Sequence, residues 1–156
     1  MGQQVIATEQ LKYGWARGGK VSHPVPVGAS EVFKDRGSAF VKNDGSGRAE
    51  VAGAGSTALW GHLEVEEITT GATEGAEVRN MIVCPSAVFR SPINTGTYAA
   101  TMLGKVCDLS VVSTIQGAAL DASSEDTVRI VGGDVVNQFW VELMIVDAKR
   151  YNTGVV

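Results

Sequence analysis

Cys84 and Cys107 are the two cysteines of this chain, and His23 and His62 its two histidines. With the carboxylates around them, these are the residues whose types could support nucleophilic, acid–base or metal chemistry. A nucleophile needs a base within hydrogen-bond reach and a third group that orients the base. Cys84, His62 and Asp108 can be assembled on paper into such a set. Cys84, however, stands directly before Pro85 in an apolar stretch, not at a helix N-terminus that would favour its thiolate. No Gly-x-Ser-x-Gly elbow is present, and His23 sits beside Pro24. Structural zinc wants closely spaced ligand pairs, and neither cysteine has a Cys or His within four residues. The pairs Glu66-Glu67 and Glu125-Asp126 point to opposite sides of an extended chain, so neither makes a glycosidase pair. Gly45-Ser46-Gly47 and Gly53-Ala54-Gly55-Ser56 lack the lysine and the following helix of a phosphate loop and read as turns. The expectation is a protein that is not an enzyme and holds no metal or cofactor. Both thiols are expected to pack as small buried hydrophobes, and His62 to lie exposed on the polar side of its strand.

The elements that would position these side chains read as β throughout. Residues 38 to 42 and 48 to 52 flank Asn43-Asp44-Gly45-Ser46-Gly47, the chemistry of a closed hairpin. Between residues 57 and 66, Leu59, Gly61, Leu63 and Val65 alternate with Trp60, His62, Glu64 and Glu66, the period of two of a half-buried strand. Further strands are expected over residues 77 to 84, 87 to 90, 105 to 112 and 127 to 131. Residues 97 to 103 form the one short helix expected, with Thr97 as N-cap and Gly104 as its stop. In the last strand, 138 to 147, Phe139, Val141, Leu143 and Ile145 make one apolar face, while Trp140, Met144 and Val146 make the opposite face apolar as well. A strand apolar on both sides must be covered on both; a second subunit and a second layer of the same domain are equally good covers.

Residues 1 to 36 differ in texture. They carry Pro24, Pro26 and five of the chain's glycines and show no clean alternation, yet apolar residues run through them: Val5, Ile6, Leu11, Tyr13, Trp15, Val25 and Val27. This reads as an extended N-terminal arm, 1–36, ahead of a β-rich domain, 37–156. Either the arm docks on a neighbour or it folds over its own domain.

Composition bounds the function. The 156 residues suit one domain. A net charge of −4, with basic residues scattered and no stripe among them, argues against a nucleic-acid partner. Apolar runs such as Leu143 to Val146 fall far short of the roughly 20 residues that span a bilayer. The start, Met1-Gly2-Gln3-Gln4-Val5, does not read as a secretory signal, so synthesis in a reducing cytoplasm is expected.

Three stretches carry a resemblance: residues 96 to 109 (Gly96-Thr97-Tyr98 through Cys107-Asp108-Leu109), residues 128 to 134 (Val128-Arg129-Ile130-Val131-Gly132-Gly133-Asp134) and Trp140-Val141-Glu142-Leu143. Together they resemble the C-terminal part of tailed-bacteriophage head decoration proteins, also called capsid cement proteins. The resemblance implies an all-β fold, a compact small barrel or sandwich-like domain of β-tulip type. It further implies a homotrimer on the outer capsid surface of the virion that bridges subunits of the major capsid protein. The arm residues Val5, Ile6, Leu11, Tyr13, Trp15, Val25 and Val27 would then contact the capsid, and Trp140, Met144 and Val146 the neighbouring subunit. The alternative reading is a small β-sandwich module that binds a ligand or glycan on Trp15 or Trp60.

Overall fold

The computed structural model describes residues 13–33, 39–64 and 68–149. They form an all-β body of fourteen strands: β1 (Gly14–Arg17), β2 (Ser22–Val27), β3 (Val32–Phe33), β4 (Ala39–Asn43), β5 (Ala49–Val51), β6 (Gly61–Glu64), β7 (Ile68–Thr69), β8 (Glu77–Ile82), β9 (Val88–Ser91), β10 (Ile93–Thr95), β11 (Val106–Val112), β12 (Ile115–Ala119), β13 (Val128–Gly133) and β14 (Val141–Ile145). Strands β2-β5-β4-β6-β8 close into a barrel, and β1-β9-β14-β13-β11-β12-β10 form a seven-stranded sheet. Strands β3 and β7 make a separate two-stranded pair.

The register explains how the two parts join. Ala39, Leu63 and Met81 lie opposite one another across β4, β6 and β8 and fill the barrel with Val25, Val27 and Val41. One position along, Phe40, His62 and Ile82 form the next row and point the other way. There Phe40 and Ile82 join the second core, with Phe89, Leu109, Ile130 and Leu143 from the sheet. Successive strand residues face opposite sides, so these three barrel strands are buried on both. Gln116 of β12 reinforces the join. Its amide accepts from Phe40 N and donates to Phe40 O, each at 2.8 Å, and donates to Ala52 O at 2.8 Å.

Three expectations are corrected here. The stretch after residue 13 is no arm: β1 pairs with β9, and β2 pairs along its length with β8. Val25 and Val27 are core residues of the barrel. Residues two apart send their N–H groups to the same strand edge, so Pro24 and Pro26 cost donors on one edge only. On the β5 side of β2 the ladder is down to Val27↔Ala49. The expected helix at 97 to 103 is a single 3₁₀ turn, Ala100–Met102, whose cap position is Ala99 with no side-chain cap bond. Buried Tyr98 on one side and the bond from Gly104 N to Ile130 O on the other pin this segment before a second turn forms. His62 is buried, not exposed.

Candidate functional site: a locked apolar loop

Asp108, Cys107 and Cys84 each have structural surroundings of their own. Both carboxylate oxygens of Asp108 accept from Ser124 N, at 3.1 and 3.0 Å, and Oδ1 also accepts from Glu125 N and Asp126 N at 2.8 Å. Burial would raise this carboxyl, but those backbone donors outweigh it and hold the pKa below the usual value. Asp108 pins the 121–127 loop. Burial and the neighbouring Asp108 and Asp126 push the Cys107 thiol up to about 12, so it stays protonated. Cys84 is half-buried, not buried, with its sulfur 3.4 Å from Ser86 Oγ. Among the described residues no group of three His, Cys, Asp or Glu side chains is arranged to hold a metal ion, and no helix is long and apolar enough to cross a membrane.

What the surface does offer is the loop from Asp134 to Trp140, between β13 and β14. Val136 is 87% exposed, Val135 55% and Phe139 39%. Apolar side chains held out on a floppy loop would collapse or cost entropy to dock, but this loop is fixed from within. Asp134 Oδ1 accepts from Val136 N at 3.2 Å and Asn137 N at 3.0 Å, and Oδ2 from Phe139 N at 3.3 Å. Asp134 N donates to Trp140 O, and Gln138 N to Asp134 O. The Gln138 amide then ties the loop to the 96–99 segment: Oε1 accepts from Tyr98 N at 2.7 Å, while Nε2 donates to Tyr98 O at 3.0 Å and Val135 O at 3.1 Å. Gln138 itself sits at φ +59°, a left-handed conformation that its side-chain bonds offset. Below it the Tyr98 ring packs so closely on Gly133 that a Cβ there would lie 2.6 Å from the ring. Tyr13 completes the frame, its hydroxyl donating to Phe139 O at 3.0 Å.

Among the described residues, those singled out in the sequence do not converge on one point. Val5, Ile6 and Leu11 lie outside the described residues. Trp15 is on edge strand β1, its Nε1 donating to Gly19 O at 3.1 Å and Lys20 Nζ standing 5.0 Å from the ring centroid. Trp60 packs against the barrel core. Trp140 is half-buried under Arg90, whose Cζ is 4.5 Å from the ring centroid. Arg90 and Arg17 share Glu142 at 3.5 and 3.0 Å, so the outward face of β1, β9 and β14 is covered in part by its own ion pairs. Met144 and Val146 are half-buried and line, with Pro85 and Arg129, a cleft of about 330 Å³. Val135 and Val136 were missed in the sequence; the signal was an apolar pair between Asp134 and Asn137, where a turn should be polar.

Comparison with protein-family models, with curated proteins and with solved structures finds no match for this chain.

Proposed function

We propose that this chain is a structural virion protein, a head decoration or cement protein that binds the outer surface of a phage head as an oligomer and bridges major capsid protein subunits. The observation that carries the reading is the Asp134–Trp140 loop, which spends its polar groups on its own backbone and turns Val135, Val136 and Phe139 to solvent. An apolar surface made rigid before it meets a partner loses little entropy on binding, which suits a part that assembles. The barrel and sheet support the same reading, because a lattice clamp must transmit load and the Phe40 row and Gln116 fuse the two into one body.

Attachment to the capsid is assigned to residues 1 to 12, with Val5, Ile6 and Leu11 as anchors, together with Tyr13 and Trp15 at the sheet edge. Val25 and Val27 are removed from that set because they fill the barrel. The experiment is co-sedimentation with undecorated expanded heads of the phage that carries the protein. The full chain should saturate the heads and raise the temperature at which they release DNA. A variant lacking residues 1 to 12 should remain folded and stay in the supernatant. A full chain that leaves the heads unbound overturns the proposal.

A further inference from the structure

Among the described residues, Arg17, Lys20, Lys42, Arg48, Arg79 and Arg90 each meet a carboxylate, and the charge of Lys149 acts on Asp108. Lys105 and Arg129 are the two described cations left without an acidic partner, and both line one cleft of about 660 Å³. The cleft is preformed. Its floor is Ile130 of β13, 2% exposed, with Met102 and Leu120 packed against the same core. One wall, residues 102 to 106, is fixed because Lys105 N donates to Met102 O, Gly104 N to Ile130 O and Ile130 N to Lys105 O. The other, residues 120 to 123, is fixed because Leu120 N donates to Thr95 O, Ala122 N to Ala119 O and Asp108 N to Ala122 O.

With those backbone groups spent on the body, a guest in the cleft meets apolar side chains and charged ones. Arg129 gives one N–H of its guanidinium to Gly104 O and keeps its other donors open. Lys105 Nζ makes no hydrogen bond or ion pair with a described residue. The lining carries one acid, Asp121, whose carboxylate accepts from Thr95 Oγ1 at 2.6 Å. Two cations against one acid leave a single net positive charge over an apolar floor, and no aromatic ring lines the site. We propose that this cleft binds a small aliphatic carboxylate: its chain lies on Met102, Leu120 and Ile130, and its head group meets Arg129 and Lys105. The planar guanidinium fork suits a carboxylate, whereas a dianion such as phosphate would exceed the charge and leave the apolar floor bare. A preformed, mostly apolar cleft with a few polar groups is the ordinary form of a small-ligand site. Such a site is independent of the capsid reading, and the purified chain suffices to test it.

The test is calorimetric titration of the full chain with octanoate, with octanol (the same body without the charge) and with acetate (the charge without the body). Octanoate should bind saturably, one per chain, with a Kd of about 1 mM or tighter. Octanol should bind about tenfold more weakly, and acetate should give no saturable signal. Lys105→Gln, at an exposed position, should weaken octanoate binding about threefold or more, and the pair Lys105→Gln with Arg129→Gln about tenfold or more. Circular dichroism checks that both variants fold, and Lys105→Gln decides the matter where the loss of the Arg129 bond to Gly104 loosens the wall. Amide chemical shifts should move on adding octanoate at Gly104, Lys105, Ala122 and Ser123, and not at the exposed apolar loop of residues 134 to 140. No saturable binding up to about 10 mM octanoate, octanol bound as tightly as octanoate, a Lys105→Gln variant that binds like wild type, or shifts centred on the 134–140 loop overturns the proposal.

Discussion

His62 lies flat on Phe89, the ring centroids 4.2 Å apart and the planes 10° from parallel, while Phe40 meets the same imidazole edge-on at 4.8 Å. The histidine therefore acts as a third aromatic in the core between barrel and sheet, 3% exposed and with Nδ1 lacking a hydrogen-bond partner. Burial lowers its pKa from the ordinary 6.5 to about 3.

The pH dependence of stability follows from that shift. Between pH 6.5 and about 3 the unfolded chain binds a proton at His62 that the folded chain refuses, so stability is complete above pH 6.5 and falls as pH drops through this window. The slope is roughly 1 kcal/mol per pH unit. Urea midpoints measured from pH 7 to 4 should decline accordingly. His62→Phe should flatten that decline, and an unchanged slope in the variant would refute the assignment.

Gln116→Ala tests the seam. The substitution strands Phe40 N, Phe40 O and Ala52 O, each 2.8 Å from the amide in the native protein. A loss of about 2 to 4 kcal/mol is expected from calorimetry or urea unfolding, because unpaired backbone groups cost more than the bonds themselves contribute. Gln116→Glu keeps the acceptor for Phe40 N but loses both donations, and should be at least as damaging.

The hairpin between β11 and β12 stores strain that can be removed. Ser113 and Thr114 occupy its turn at φ +50° and +69°, a backbone that favours Asn-Gly and disfavours a β-branched residue. Replacing the pair with Asn-Gly should raise stability by about 1 kcal/mol and the melting temperature by about 3 °C. No change would mean that the turn relaxes in solution.

How much of this was legible in the sequence depends on the kind of signal. The hairpin at Asn43 to Gly47 was plain, because turn chemistry is local and Asn43 and Asp44 bind the loop amides they flank. So was most of the inward face of the last strand, where Val141, Leu143 and Ile145 are buried, but Phe139, expected on the same face, lies exposed in the loop before β14. His62 misled for a physical reason: a period of two shows alternation, but not that the second face meets another core. Strand β2 misled because two prolines look like a linker unless one edge of the strand needs few donors. The Asp134–Trp140 loop was hidden most deeply, since its rigidity comes from Gln138 reaching Tyr98, forty positions away.

Asp134 decides whether the loop is a preformed surface or a flexible one. Its carboxylate accepts from Val136, Asn137 and Phe139, so Asp134→Ala removes the acceptor for all three while leaving the exposed side chains in place. Hydrogen exchange should accelerate at those amides by about tenfold or more, with the β13 and β14 ladder unchanged, and global stability should fall by about 1 to 2 kcal/mol. Binding at the loop should weaken as well, though no apolar contact is deleted, because the loop must then be ordered on docking. Unchanged exchange would show that the Gln138 bonds to Tyr98 suffice on their own, and that the loop's rigidity belongs to the 96–99 segment and not to Asp134.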